Sequence, residues 1–599
     1  MRMLRLPAAA VALSMMLLAC VPLPGTRTPP ANDGAQRAQA LYTRGQFEQS
    51  ADAYMALAGQ DAQYSDYYRL LAAESWRQGG KLDRSEQALA DVRRSHLEGE
   101  DAIRFDLLRA EFALRKNDPA TALSLAGNPE HPISPGLQAR LLEVRARAQA
   151  ASGDHWAAAQ TRIGMDDSLT GIDREHNRKL ALAELVAMGT DNLAATDAKL
   201  GPDDRLKPWV HEAQTQLGVA VARAPAQLAQ PVGTVGAGGQ PGVREGYRAP
   251  TAVALLLPAS GPLSSAGNVV RDGFFAAYLD AGRNGAPRPT VKVYDSGNDA
   301  AHTLSAYDQA VKDGATLVVG PLNRDGVAAL FARGALNVPV LALNHPTERV
   351  LPPGGTSEFG LLPEAEGAQV ADHMIDRGIT SAVAMLSSDD FASRAGKAFA
   401  AEYAARGGKL TRTTTLQASA VNFSDQVGGI DSAEGSGIFI SMKPQQARLL
   451  LPQLHLAKVA APVFGTSHIY AGIDDATSDK DLDGVEFCDA PWMFDAQPGL
   501  PRRGDLAAGL ASVRGVNARL FAFGMDAWAL VPYLDWLRSH VGSYLPGASG
   551  QLTADEFGRV RRVLTWARFQ DGLARPVAGS LEMDAPAATG IEDSSTNTQ

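Results

Sequence analysis

The sequence predicts a multidomain chain: an all-α superhelix built of helix–turn–helix repeats, followed by a two-lobed α/β domain. Three observations predict it. A turn signal recurs near residues 45, 80, 117 and 153, a period of roughly 35 residues, which is the spacing of stacked helical hairpins. A stretch rich in Pro and Gly at 224–250 separates two regions of different periodicity. Beyond it, continuous apolar runs alternate with helical stretches, which is how parallel sheets with crossover helices read. Length agrees, since 599 residues correspond to about two to four domains.

Composition narrows the function classes. With 45% hydrophobic and 20% charged residues the chain can fill globular cores, which excludes a mostly disordered or collagen-like protein. Lys plus Arg number 56 against 66 Asp plus Glu, a net charge of −10. Without blocks of Lys/Arg such a chain is unsuited to neutralising phosphates, so no nucleic-acid partner is expected. The two cysteines, Cys20 and Cys488, cannot build a disulfide framework or a four-cysteine zinc site. Cys488, beside Val485, Phe487 and Trp492, reads as a core thiol.

The first segment carries Arg2 and Arg5, then an apolar stretch from Leu6 to Leu18 that is too short to span a bilayer. It ends in Leu17-Leu18-Ala19-Cys20, which resembles a bacterial lipobox. The resemblance implies a signal peptide at 1–19, acylation of Cys20 and a lipidated tether at 20–34. Several acyl chains on one residue anchor stably, since each buried CH₂ contributes roughly 0.8 kcal/mol. Val21 stands where an Asp would resemble an inner-membrane retention signal, so sorting to the outer membrane is expected. The alternative is an ordinary secretory signal that happens to contain a cysteine.

Residues 35–223 read as helices only. Gly45-Gln46-Phe47 precedes Ala51, Tyr54 and Leu57; Gly80-Lys81-Leu82 precedes Ser85, Ala88 and Leu89. Asn117-Asp118-Pro119 precedes Ala122 and Leu125, and Gly153-Asp154-His155-Trp156 precedes Ala158 and Ala159. A helix ends at each Gly or Asn, and small residues in the next helix permit close approach. The pattern resembles the tetratricopeptide (TPR) repeat, giving a TPR-like domain; the alternative is a non-repeating helical array. Such arrays bind other chains along a concave face. The linker at 224–250 could extend up to about 80 Å at ~3.1 Å per residue.

In the α/β region, at 251–578, a first set of strands is expected at 253–257, 291–294, 317–319 and 338–343. Helices fall around 268–281, 301–313 and 324–335. A second set lies at 382–386, 410–416, 438–440 and 462–464, with helices near 391–406, 422–432 and 444–456. Gly484 to Phe487 reads as a strand of the first set resumed. The lobes are then about 251–375 with 484–578, and 376–483. Residues 579–599 are small and polar and read as a disordered tail.

Several motifs resemble type I periplasmic-binding proteins. Leu255-Leu256-Leu257-Pro258-Ala259-Ser260-Gly261-Pro262-Leu263, followed by Arg271-Asp272-Gly273-Phe274, resembles their opening strand, turn and helix. Val319-Gly320-Pro321-Leu322 and Leu341-Ala342-Leu343-Asn344 resemble later strand ends. Leu545-Pro546-Gly547-Ala548-Ser549-Gly550, Gly558-Arg559-Val560, Arg562, Leu564-Thr565-Trp566-Ala567 and Phe569 resemble the closing hairpin. Together with the lipobox and the TPR-like half, nearly the whole chain after Cys20 resembles the LpoA family. That resemblance implies an outer-membrane lipoprotein that activates a bifunctional class A penicillin-binding protein of the inner membrane. It also implies stimulated peptidoglycan cross-linking, contact with the wall, and no reaction of its own. The Gly/Pro-rich linker departs from the tighter, more apolar connection expected of the family.

Catalytic and cofactor motifs give little. Gly80-Lys81-Leu82, Gly396-Lys397-Ala398 and Gly408-Lys409-Leu410 lack the hydroxyl a phosphate loop needs for Mg²⁺. There is no His-Glu-x-x-His, no Gly-x-Ser-x-Gly and no Ser-x-x-Lys, so neither a cofactor nor a metal is expected. Asp389-Asp390 and Asp474-Asp475 are adjacent pairs whose side chains point apart, which suits caps and turns better than glycosidase chemistry. The one candidate ligand site is the interlobe cleft beyond the carboxyl ends of the strands. Ser260, Gly261, Ser264, Asp295 and Asn344 of the first lobe would line it, with Ser387, Ser388, Thr466 and Ser467 of the second. These residues could hydrogen-bond an amino acid or muropeptide, or serve only as caps. A small-molecule receptor is therefore the alternative to an activator, and a cell-wall hydrolase the third reading.

Overall fold

The computed structural model describes residues 32–219, 221, 230–231, 242–334, 336–497, 499–540 and 542–577. The signal peptide, Cys20, nearly all of the tether, most of the 224–250 linker and the 579–599 tail lie outside the described residues. The chain forms two compact units: Met1–Leu169 with Leu180–Met188, and Thr170–Lys179 with Gly189–Gln599.

The first unit is made of helical hairpins. Its helices are α1 (Asp33–Thr43), α2 (Phe47–Gln60), α3 (Ser65–Gln78), α4 (Leu82–Ala90), α5 (Gly99–Arg115), α6 (Pro119–Leu125), α7 (Pro135–Ala151) and α8 (His155–Met165). The four expected turns close α1, α3, α5 and α7. Gly45, Gly80, Asn117 and Gly153 all have positive φ, between 58° and 83°. The amide after each donates to the carbonyl five residues back: Gln46 to Leu41, Lys81 to Trp76, Asp118 to Ala113 and Asp154 to Gln149, at 2.8–3.0 Å. This is the Schellman termination, and it explains why Gly or Asn recurs at this place. The repeat extends into the core. Ser50 Oγ donates to the Ala38 carbonyl at 2.8 Å, and Ser85 Oγ to the Ala73 carbonyl at 2.7 Å. Fully buried alanines, Ala38, Ala51, Ala72 and Ala73 among them, let these helices pack closely.

The second unit takes in helical residues too. The helix α9 (Gly171–Ala187) contributes its first part to this unit; α10 (Gly189–Asp197) and α11 (Lys207–Gln216) follow. α11 is seated on the α/β part. Trp209 meets Phe557 edge-to-face with ring centroids 5.1 Å apart. Buried Glu212 binds Arg349 at 2.7 Å and Arg559 at 2.9 Å. The compact unit thus begins well before the change of periodicity at the linker.

The strands of the first lobe are β1 (Gln230–Pro231), β2 (Ala252–Leu257), β3 (Thr290–Asp295), β4 (Leu317–Val319), β5 (Val340–Ala342) and β6 (Ser357–Phe359). Those of the second are β7 (Ser381–Ser387), β8 (Lys409–Leu416), β9 (Ser436–Ser441), β10 (Val463–Gly465) and β11 (Glu486–Asp489). The chain then returns through β12 (Ser543–Pro546), β13 (Gln551–Ala554) and β14 (Arg559–Val563) before β15 (Thr565–Gln570) and β16 (Leu573–Pro576). The first sheet runs β1-β12-β13-β14-β6-β5-β4-β2-β3 and the second β16-β15-β11-β10-β9-β7-β8. Each has a parallel core in the doubly wound order 2-1-3-4-5. This twofold arrangement is the two-lobed fold that the periplasmic-binding-protein motifs imply.

One expectation is corrected. Gly484–Phe487 does not return to the first sheet: β11 pairs parallel with β10 and antiparallel with β15. Phe487 packs on Phe569 with ring centroids 5.0 Å apart. The lobe division changes accordingly, since β11, β15 and β16 all join the second sheet. An apolar run reports burial but not which sheet buries it.

The helices of this part are α12 (Ser264–Arg283), α13 (Ala300–Lys312), α14 (Arg324–Ala332), α15 (Pro363–Asp376), α16 (Asp390–Ala405), α17 (Ser424–Val427) and α18 (Pro444–Leu456). They are followed by α19 (Arg503–Ala507), α20 (Asn517–Leu530) and α21 (Leu534–Ser539). α20 joins the lobes. Its Phe521, Ala522 and Met525 lie in the core of the second lobe, and Phe523, Ala527, Trp528 and Leu530 in that of the first. It crosses α12 at two reciprocal glycines. A Cβ on Gly273 would lie 2.1 Å from the Phe521 carbonyl, and one on Gly524 2.2 Å from that of Val270.

Candidate functional site

Glu364, just after β6, binds Arg394 of α16 through two hydrogen bonds of 2.7 and 2.9 Å. Arg394 sits one turn into the helix that follows β7, and Glu364 opens α15, whose Val370, Ala371 and Met374 pack in the core of the second sheet, so the pair ties two helices of the second lobe.

In the first lobe, Ser260, Gly261, Ser264 and Asp295 are brought into one knot of turns. Asp295 Oδ1 accepts the amides of Ala259 and Gly297, both at 2.9 Å, and Oδ2 accepts Ser260 Oγ at 3.1 Å. The backbone donors hold this carboxyl below its usual range. Asn298 Nδ2 donates to the Ser260 carbonyl at 2.7 Å, and Ser264 Oγ to that of Gly261 at 2.8 Å. Gly261 has φ +71°, and a Cβ there would lie 2.1 Å from Asn298 Nδ2, so only glycine fits. Asn344 stands apart from this knot. Its Nδ2 donates to the Leu322 carbonyl at 2.9 Å and its Oδ1 accepts the His345 amide at 3.0 Å.

In the second lobe, Ser387 and Thr466 meet around Ser441. Thr466 Oγ1 is 3.0 Å from Ser441 Oγ, and Ser387 Oγ is 2.5 Å from Asp389 Oδ2 and 3.4 Å from the Ser441 carbonyl. Ser467 turns to buried Glu366, donating from its amide at 2.9 Å and from Oγ at 3.1 Å. Ser388 is exposed. No hydrogen bond among the described residues joins the first-lobe knot to the second-lobe group. The adjacent carboxylates have structural partners: Asp389 caps α16 through the Ala392 amide at 2.9 Å, Asp474 accepts Tyr470 OH at 2.9 Å, and Asp475 accepts the Ser478 amide at 3.1 Å.

The charged residues of the junction carried no motif and were missed by sequence reasoning. Burial, with Arg324 nearby, lowers His345 to about 4, so its ring is neutral at pH 7. Burial also lowers His468, whose ring lies 4.5 Å from that of Phe391. His345 Nε2, Arg324 Nε and His468 Nδ1 are buried without a hydrogen-bond partner among the described residues. Deeper, Arg519 of α20 binds Asp489 at 2.5 and 2.8 Å and donates to the carbonyls of Ser467 and Tyr470, both at 3.0 Å. Asp526 accepts the amides of Ala548 and Ser549 at 2.6 and 2.7 Å, and burial pushes its carboxyl up to about 6. Burial likewise raises Glu366 and holds the Cys488 thiol well above its usual range. That keeps Cys488 protonated and unreactive. Among the described residues no group of three or more His, Cys, Asp or Glu could hold a metal ion. No helix among them is long and apolar enough to cross a membrane.

Helical hairpins joined to a two-lobed α/β domain are an architecture of binding proteins. Residues 45–233 and 247–572 match the family described as "LppC putative lipoprotein", and the chain belongs to that family. The penicillin-binding protein activator LpoA of Mannheimia succiniciproducens is 27% identical over 555 residues, covering 88% of this chain and 92% of that protein. LpoA of Haemophilus influenzae is 26% identical over 558 residues, with the same coverage. The crystal structure of full-length LpoA from Haemophilus influenzae aligns with a TM-score of 0.48 at 22% identity, covering 88% of this chain and 98% of that one.

Proposed function

We propose that this chain is an outer-membrane lipoprotein, acylated at Cys20, that binds and activates a bifunctional class A penicillin-binding protein. The observation that carries the reading is the family match across both parts of the chain, with relatives named as activators covered over 92% of their length. The helical part and the linker reach through the peptidoglycan, and the α/β domain meets the synthase at the inner membrane. Activation follows from binding the synthase's active conformation more tightly than its resting one. The product is more peptide cross-linking, with no reaction performed by the activator itself.

The test adds the chain to each class A synthase of the same organism and follows cross-linking of polymerised lipid II. A rise with one synthase supports the reading; folded protein that changes none of them refutes it.

A second reading, a cleft that takes a small molecule such as an amino acid or muropeptide, is supported by the buried unpartnered atoms of His345, Arg324 and His468. Ser260, Gly261, Ser264, Asp295, Asn344, Ser387, Ser388, Thr466 and Ser467 would be its accessory residues. The hydrogen bonds that Ser260, Ser264, Asp295, Asn344, Ser387, Thr466 and Ser467 already make leave them little capacity for a ligand, which favours the activator reading. A ligand that bound the folded state would raise the melting temperature with its concentration.

A further inference from the structure

The helical unit holds a hollow of 980 Å³, at the upper end of the range of ligand pockets, roughly 300–1,000 Å³. It is lined by α1, α3, α5 and α7, the first helix of each of four successive hairpins, with α2 beside them. Arg77, Arg104 and Arg140 face it with the carboxylate of Glu74, and Arg77 is held by Glu111 at 2.5 and 3.0 Å. Arg140 Nε binds Glu111 at 2.9 Å and Nη1 binds Glu74 at 2.7 Å. Its Nη2 is buried with no acceptor among the described residues. Arg104 remains about one-third exposed.

Tyrosines Tyr42, Tyr54 and Tyr67 supply flat apolar faces. Burial pushes the Tyr54 phenol up to about 12 and raises the other two, so all three remain neutral donors. The partly exposed Arg104 guanidinium, one Arg140 donor without an acceptor and phenol faces together suit a short peptide that carries carboxylates and small apolar side chains. An ammonium on that peptide would be met by Glu74.

We propose that this hollow binds the stem peptides of peptidoglycan, which carry several carboxylates, alanine side chains and a free ammonium. The proposal rests on the reading that the chain spans the wall. It gives the helical part a role of its own, holding the wall while the α/β domain meets the synthase.

The test uses the full-length chain in detergent, sedimented with purified sacculi. The expected result is co-sedimentation that soluble stem peptide displaces and that Arg104→Ala and Tyr67→Ala each weaken by about tenfold. Among the described residues Arg104 pairs with its helix neighbours Glu100 and Asp101, so its variant should stay folded, which circular dichroism checks. The proposal is overturned if the wild-type chain stays in the supernatant, or if both folded variants pellet as it does. It is also overturned if stem-free glycan displaces the chain, or if an unrelated acidic peptide does so as well as the stem peptide. The latter outcome would indicate a protein ligand. The lipid II assay contains no sacculus, so failure here leaves the activator reading to be judged separately.

Discussion

Glu212 of α11 is 2% exposed at its side chain and is held by two guanidiniums, Arg349 at 2.7 Å and Arg559 at 2.9 Å. Burial works against its charge, but the hydrogen bonds from Arg349 and the nearby Arg559 draw its carboxyl down to about 2 from 4.5. Two routes give the cost of Glu212→Gln. Breaking a buried pair by removing one partner costs about 3–5 kcal/mol. Arg349 is nearly half exposed and Arg559 keeps Glu358 at 3.0 Å, so the lower end applies. Separately, a carboxyl lowered by that interval contributes about 3 kcal/mol at neutral pH. Because the folded-state value is depressed, this stability is present above about pH 4.5 and is lost as pH falls toward 2.

Urea unfolding should therefore show the variant about 3 kcal/mol less stable at pH 7.5, with the gap narrowing steadily below pH 4. A fragment beginning at residue 251, just past the linker, lacks both Glu212 and Trp209. It should unfold at lower urea than one beginning at Thr170, where this compact unit starts. A variant within about 0.5 kcal/mol of the wild type at pH 7.5, the usual scatter for surface changes, or fragments of equal stability, would refute the seating of α11.

Three further outcomes are expected. Burial, with Asp555 nearby, raises Glu556 to about 7. The folded state then holds a proton that the unfolded state releases, so wild-type stability falls between about pH 4.5 and 7. Glu556→Gln should flatten that slope, and equal slopes in urea titrations at pH 5 and pH 8 would contradict it. Gly273→Ala places a methyl 2.1 Å from the Phe521 carbonyl and should cost about 1–3 kcal/mol or more. Gly164→Ala in α8, with nothing within 4 Å, should instead be neutral or stabilise by up to about 1 kcal/mol; denaturant midpoints compare the two. The Cys488 thiol, fully buried, should resist a maleimide in native buffer and react in denaturant, whereas native labelling would show that the core opens.

The sequence by itself determined the features that depend on near neighbours. The turns at Gly45, Gly80, Asn117 and Gly153 were legible because a left-handed backbone admits few residue types. The βαβ succession was legible because buried strands are continuous apolar runs bounded by turns. The cleft candidates were named from strand ends, and the structure gathers Ser260, Gly261, Ser264 and Asp295 as one group and Ser387 with Thr466 as another. Only the tertiary structure decided that β11 joins the second sheet, that Trp209 and Glu212 seat a helix on the α/β part, and that Glu364 and Arg394 tie α15 to α16. Their partners lie between 22 and 348 residues away in the chain. A charged residue in a helix reads the same whether its partner is water or a guanidinium brought there by folding. Burial turns such a residue into part of a site, and burial by distant segments leaves no mark on the local pattern.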